Sequence, residues 1–262
     1  MFYRFMMATL GRFLRWYYRP WIRGTEHVPS SGPAILASNH LAVIDSFFLP
    51  ALLKRPVVFL GKDAYFTGRG IRGRVVATFM RGVGTIPVDR SGGSGVEAAL
   101  RTGLARLEAG ELFGIYPEGT RSPDGRLYRG KTGIARLALE SGAPVVPVAM
   151  VDSHIAQPIG KRIPSRHRVG VVIGAPLDFS RYRAMASDRF VLRTVTDEIM
   201  YAIMGLSGQE YVDGYAASEK SRMASRGGEP TPTAPGGPGG RPAPGGPGGP
   251  PSGGPEGGAA DP

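Results

Sequence analysis

Apolar residues recur along this chain in two alternating rhythms. Short continuous blocks at Ala34 to Ala37, Val57 to Leu60, Leu112 to Tyr116, Val145 to Val151 and Val169 to Ile173 have the length and content of buried strands. Gly84 to Arg90 reads as one more short strand that ends on a charge, followed by the loop Ser91-Gly92-Gly93-Ser94. Between these blocks the spacing is helical: Leu41 to Leu53, about Ile71 to Met80, the face Val96, Leu100, Leu104 and Leu107 closed by Gly110, the face Ile134, Leu137 and Ala138 closed by Gly142, and about Asp188 to Met204. Strands alternating with helices predict an α/β fold, a mixed sheet flanked by helices.

The two ends of the chain follow different patterns. Residues 1–23 carry Arg4, Arg12, Arg15, Arg19 and Arg23 and no acid, interleaved with Phe2, Phe5, Met6, Leu10, Phe13, Trp16, Tyr17 and Trp21. At 100° per residue the first four arginines share an arc of roughly 80°, and most large apolar side chains face away from it. Such a basic, aromatic-rich amphipathic helix suits a membrane interface, although a helix packed on a core with a solvated basic face has the same pattern. From 226 to 262 the chain is Gly, Pro, Ala and little else, with no apolar pattern, which predicts a disordered tail. The expected organisation is an anchor helix at 1–23, one folded domain at 24–210, a polar segment at 211–225 and the tail.

Charge and composition narrow the partners. The 262 residues carry a formal net charge of +11. In the tail Glu229, Glu256 and Asp261 stand against Arg226 and Arg241 and nearly cancel, so the excess belongs to the folded part and implies anionic partners. The absence of cysteine excludes disulfides, thiolate metal sites and a cysteine acyl-enzyme, and suits a reducing compartment. No apolar run reaches the roughly 20 residues of a spanning helix, because His40 and Asp45 interrupt the best one. The N-terminal arginines do not precede an apolar block with a cleavage site, so a signal peptide is not expected. Gly68 to Gly73 formally match a dinucleotide-binding glycine pattern, but Asp63 to Thr67 before them make a poor strand, and a connection into a helix fits better. His27, His40, His154 and His167 lack metal-ligand spacing, and the basic segments contain no nucleic-acid module.

The chemistry concentrates at Ser38-Asn39-His40-Leu41-Ala42-Val43-Ile44-Asp45. In a regular helix residues five apart point roughly 140° from each other, so His40 and Asp45 meet only if a turn or helix start lies between them. A strand through Ala37, turn or capping residues at Ser38 and Asn39, and a helix from Leu41 would supply that junction. An imidazole oriented by a carboxylate takes a proton from a hydroxyl and contributes on the order of 10²- to 10⁴-fold in rate. Taken alone, the spacing also fits a surface histidine beside an unrelated aspartate.

Downstream segments favour the catalytic reading. Asn39-His40-x4-Asp45, Gly84-x-Ile86-x-x-x-Arg90, Tyr116-Pro117-Glu118-Gly119-Thr120-Arg121-Ser122 and Val146-Pro147-Val148-Ala149 stand in order, each at or near a strand end. Together, over about residues 20–175, they resemble the four blocks of the glycerolipid acyltransferases typified by 1-acylglycerol-3-phosphate acyltransferase, with Tyr116 where phenylalanine is usual. The resemblance implies that His40 deprotonates a glycerol hydroxyl for attack on the thioester of acyl-CoA or an acyl carrier protein, with Asp45 orienting it. These thioesters would be co-substrates, and no cofactor or metal is implied. It implies that Arg90, Arg121 and a lysine at Lys62 hold the acceptor's phosphate, and that Glu118, Gly119 and Thr120 line the acceptor site, with Glu118 orienting Arg121 or a glycerol hydroxyl. Arginine's planar fork suits that task, since bidentate binding sets distance as well as affinity. The expected acceptor is a lysophospholipid, 1-acylglycerol 3-phosphate, giving phosphatidate. Glycerol 3-phosphate, another lysophospholipid or a lipid-linked sugar are the alternatives within the family. The expected setting is the cytoplasmic face of the cell membrane, held peripherally on an anionic surface. A non-catalytic basic membrane-coating protein would need only the first helix and the charge.

Overall fold

The apolar blocks become strands of one sheet in the computed structural model, which describes residues 2–88, 93–161 and 163–225. Arg90 and the tail expected from residue 226 lie outside the described residues. In chain order the elements are α1 (Phe2–Tyr18), β1 (Trp21–Arg23), β2 (Ala34–Ser38), α2 (Asp45–Leu52), β3 (Val57–Lys62), α3 (Gly70–Gly82), β4 (Thr85–Val88), α4 (Gly93–Glu108), β5 (Leu112–Ile115), β6 (Leu127–Tyr128), α5 (Gly133–Ser141), β7 (Val145–Val151), α6 (Ser153–Ala156), β8 (Gly170–Ile173), α7 (Arg189–Ser207), β9 (Tyr211–Val212) and α8 (Ala216–Ser225).

The main sheet has seven strands in the order β1-β8-β7-β2-β5-β3-β4. From β7 through β4 neighbours run parallel, while β8 is antiparallel to β7 and carries β1 parallel to itself. The sheet is therefore mixed and flanked by helices, as the alternation of patterns predicted.

β2 is the central strand, and every residue in it is buried. Its alternation divides the interior. Ala34 and Leu36 join Leu14, Phe48, Leu49 and Val57 on the α1 and α2 face. Ile35 and Ala37 join Leu107, Leu137 and Ile199 on the α4, α5 and α7 face. Burying a Leu, Ile or Phe contributes roughly 1.5–3 kcal/mol, so both layers pin the register of β2. That register places Ile35 to Ser38 beside Val145 to Val148 and Ala34 to Ala37 beside Leu112 to Ile115, and thus gathers the C-terminal ends of β2, β5 and β7.

The ends of the chain depart from expectation. The first helix stops at Tyr18 rather than Arg23, because Arg19 takes a left-handed backbone (φ 48) and Pro20 lacks the N–H that would continue the helix. Trp21–Arg23 then form an edge strand whose tryptophan lies over Gly170, where an added Cβ would meet the ring at 2.3 Å. One face of α1 packs on the core, as the second of its expected fates requires, and another is exposed. Met7, Leu14 and Tyr18 are buried in the core, while Phe5, Phe13 and Trp16 are 66%, 49% and 72% exposed. Residues 211–225 are not a mere polar connection, since β9 pairs with β6 and α8 follows it. Their apolar content is too low to announce this. Among the described residues, no helix is long and apolar enough to cross a membrane.

The helix expected from Leu41 begins only at Asp45. Residues 41–44 turn because the Asp45 carboxylate captures their leading N–H groups. α3 opens at Gly70 from the extended Arg69, so the Gly68 to Gly73 pattern leads into a helix and does not follow a strand directly.

Candidate active site

β2 ends against a clamp. Asn39, expected as a turn or capping residue, is fully buried, and its side chain ties β2 to β7: Oδ1 accepts from the Met150 N–H (2.7 Å) and Nδ2 donates to the Met150 carbonyl (3.0 Å). Nδ2 also donates to Gln209 Oε1 (2.6 Å), whose own Nε2 donates to the Gly125 carbonyl (2.6 Å). A buried amide with several partners holds the next residue rigidly.

That residue is His40. Its Nδ1 lies 3.1 Å from Asp45 Oδ2, and the imidazole is 16% exposed while Asp45 is fully buried. The same Oδ2 accepts the backbone N–H groups of Leu41 (2.7 Å) and Ala42 (2.8 Å). These bonds close the turn that brings residues five apart together, a meeting forbidden by continuous helix. A carboxylate so held accepts the Nδ1 proton and leaves Nε2 as the base.

The ring is fixed from its face as well. His40 stacks on Tyr116 with centroids 3.9 Å apart and planes 11° from parallel, and Tyr116 stacks in turn on Phe59 at 5.4 Å. The Tyr116 hydroxyl pairs with Ser46 Oγ at 3.0 Å on α2, an attachment that phenylalanine would lack. Burial raises the Tyr116 pKa well above its ordinary value, helped by the Asp45 charge, so the phenol stays protonated and neutral beneath the imidazole.

The block after β5 wraps over this pair. The Ser122 N–H donates to the His40 carbonyl at 2.7 Å, and the Lys131 N–H donates to the Pro117 carbonyl at 2.8 Å. Glu118 is 1% exposed and neither carboxyl oxygen has a partner of good geometry. Burial raises its pKa well above the usual carboxyl value, and the His40 backbone N–H offsets this only in part. The expected pairing of Glu118 with Arg121 is not formed: among the described residues no carboxylate is within ion-pair distance of Arg121. Gly119 has φ +72 and is exposed, and the Lys131 side chain lies over it, with Cε 3.0 Å from where a Cβ would sit. Any larger residue there would be strained and would displace Lys131. Thr120 Oγ1 accepts from Lys220 Nζ at 2.6 Å.

The site residues are thus placed as follows. His40, Asp45, Glu118, Gly119, Thr120 and Arg121 come together at the ends of β2 and β5. Lys62 closes β3 and pairs in register with Val88 at the end of β4, which puts its backbone at the same edge of the sheet; its side chain is not among the described atoms. Arg90 is outside the described residues. Sequence reasoning did not find Gln209, Lys131 or Lys220. Their only signal was charge or polarity in segments without pattern, and their approach depends on long-range packing.

The chain is similar to known proteins. The chain is 29% identical over 174 residues to the chloroplastic 1-acyl-sn-glycerol-3-phosphate acyltransferase LPAT1 of Arabidopsis thaliana, covering 66% of this chain and 47% of that protein. It is 28% identical over 154 residues to 1-acyl-sn-glycerol-3-phosphate acyltransferase of Bacillus subtilis, covering 58% of this chain and 70% of that one. The chain therefore spans about half the length of the plant relative. Its fold is similar to the crystal structure of the 1-acyl-sn-glycerophosphate acyltransferase PlsC from Thermotoga maritima, with a TM-score of 0.58 at 23% identity over 76% of this chain and 77% of that one. Residues 19–151, just over half of the chain and inclusive of His40, Asp45 and the block at Glu118, match the Acyltransferase family model, and the chain belongs to that family.

Proposed function

We propose that the protein transfers a fatty acyl group from acyl-CoA or an acyl carrier protein to the free hydroxyl of 1-acylglycerol 3-phosphate, giving phosphatidate. The observation that supports this most is the His40 imidazole, locked through Nδ1 on a buried carboxylate beside a loop whose Arg121 has no carboxylate within ion-pair distance among the described residues. In this reading Nε2 takes the proton of the acceptor hydroxyl as its oxygen attacks the thioester carbon. The tetrahedral intermediate collapses, the carbon–sulfur bond breaks, and the imidazolium returns its proton to the departing thiolate. The reaction forms no acyl-enzyme, and no cofactor or metal takes part.

Arg121, with Lys62 at the end of β3 and, as the sequence resemblance implies, Arg90, would hold the phosphate and so set the distance from hydroxyl to base. Such positioning accounts for several kcal/mol of a barrier. Glu118, protonated over a wider pH range than an exposed carboxyl, is suited to donate a hydrogen bond to a glycerol oxygen. On α1, exposed Phe5, Phe13 and Trp16 accompany exposed Arg12 and Arg15, a combination suited to an anionic lipid surface. We place the protein peripherally on the cytoplasmic face of the membrane, where the thioester donors are found.

The deciding experiment is a purified-protein assay that crosses acyl-CoA and acyl carrier protein donors with 1-acylglycerol 3-phosphate, glycerol 3-phosphate and other lysophospholipids, scored by product mass. His40→Ala should lower kcat by about 10²- to 10⁴-fold without loss of thermal stability. Near-normal turnover by that variant would remove the general base from the mechanism, and preference for another acceptor would reassign the substrate.

A further inference from the structure

α8 lies beyond the residues matched to the family, yet it reaches the core of the site. β9 pairs with β6 through Leu127–Tyr211 and Tyr128–Val212, and the Arg129 N–H donates to the carbonyls of Val212 (3.2 Å) and Gly214 (2.9 Å). Ala216, the first residue of α8, is fully buried. This docking carries Lys220 to Thr120, 100 residues earlier in the chain, where Nζ donates to Oγ1 at 2.6 Å.

An ammonium has three donors, and the hydroxyl uses one of them. Among the described residues no carboxylate pairs with Lys220, although its neighbours Glu219 and Arg222 pair with each other at 3.2 Å. Burial, and next the nearby Arg121 guanidinium, lower the Lys220 pKa against the pull of Glu118. Two cations are thus held near each other with too little negative charge between them, an arrangement that costs energy until an anion arrives.

We propose that Lys220 is an acceptor-binding residue that, with Arg121, grips the phosphate of the incoming lysophospholipid and so selects phosphomonoester acceptors. This rests on the acyltransferase reading given above. α8 is then the part of the chain outside the family-matched segment that completes the acceptor site, and Thr120 sets the lysine's position.

The test uses the full chain in mixed micelles. Lys220→Met should raise KM for 1-acylglycerol 3-phosphate about ten- to a hundredfold with kcat and the donor KM within about twofold, Lys220→Arg should restore most of it, and Arg222→Met, two residues along the same helix, should change nothing. In the wild-type protein, 1-acylglycerol 3-phosphate should protect Lys220 from acetic anhydride, read by mass spectrometry, while the phosphate-free 1-acylglycerol should not. Unaltered KM in a folded Lys220→Met variant, or equal protection by both lipids or by neither, overturns the proposal. The labelling needs neither turnover nor a variant. A wild-type protein that acylates no 1-acylglycerol 3-phosphate would refute the acceptor reading while the labelling still decides on Lys220.

Discussion

Two halves of the segment after β5 contrast in how their charges are answered. In residues 122–128 every charge has a partner. Asp124 Oδ2 accepts from Arg126 Nε (2.7 Å) and from the Tyr128 hydroxyl (2.9 Å), and Oδ1 accepts from the Arg126 N–H (3.1 Å). Burial alone would raise the Asp124 pKa, but the bonds from Arg126 and Tyr128 win and hold it below the ordinary value. In residues 118–121, with Lys131 and Lys220 alongside, the reverse holds: a buried carboxyl without good partners and three cations without a carboxylate in ion-pair reach, among the described residues. The first half holds the loop's shape, and the second presents charge that only a bound ligand can satisfy. A protein selected for stability alone would have paired both halves.

Breaking the paired half should have the largest effect. Asp124→Ala strands the buried Tyr128 hydroxyl and the Arg126 guanidinium, and should cost about 2–4 kcal/mol in denaturant unfolding. A lowered pKa in the folded state means that the wild-type contribution is present above the unfolded value and fades as pH falls through the folded one, so the difference between variant and wild type should shrink in acid. A variant as stable as wild type at neutral pH would show that the network only decorates the loop.

The unsatisfied half should respond in function. Arg121→Ala should lower kcat/KM on 1-acylglycerol 3-phosphate about ten- to a hundredfold and leave the melting temperature nearly unchanged. An equal loss on a phosphate-free acceptor would argue against a phosphate contact and erase the contrast. The smallest effect belongs to Glu118→Gln. With its pKa raised by burial, Glu118 favours the fold fully below its unfolded value, near 4.3, and that advantage is lost as pH rises through the folded value. The amide variant should lack this loss and gain on the order of 1 kcal/mol over wild type on the alkaline side. Parallel pH profiles for the two proteins would mean that the carboxyl is solvated or paired.

The parts of the site legible in sequence were those whose geometry is made locally. His40 and Asp45 are joined by a turn that their own carboxylate closes, and Glu118 to Arg121 form one contiguous block behind a strand. The β7 strand was read with its full span because a run of valines has little else it can do. Three features escaped. Asn39 resembled a capping residue because its partners, Met150 and Gln209, are 111 and 170 residues away. The end of α1 was overrun because Trp21-Ile22-Arg23 continues the basic, aromatic pattern of the helix while pairing as an edge strand. The polar segment 211–225 gave no sign of α8 docking, since one buried alanine and a pair of backbone bonds hold its start in place.

Periodicity, β-branched runs and the five-residue spacing of an imidazole from a carboxylate were enough to establish strands, helices and the base, because each depends on interactions among near neighbours in the chain. Only folding in three dimensions decided that β2 lies between β5 and β7, which face of α1 meets the core, and that a lysine from the last described helix stands beside Arg121. Those outcomes are set by packing between residues from about thirty to more than a hundred positions apart. A linear pattern cannot record such contacts, because burial energy depends on which surfaces meet and not on where in the chain they lie.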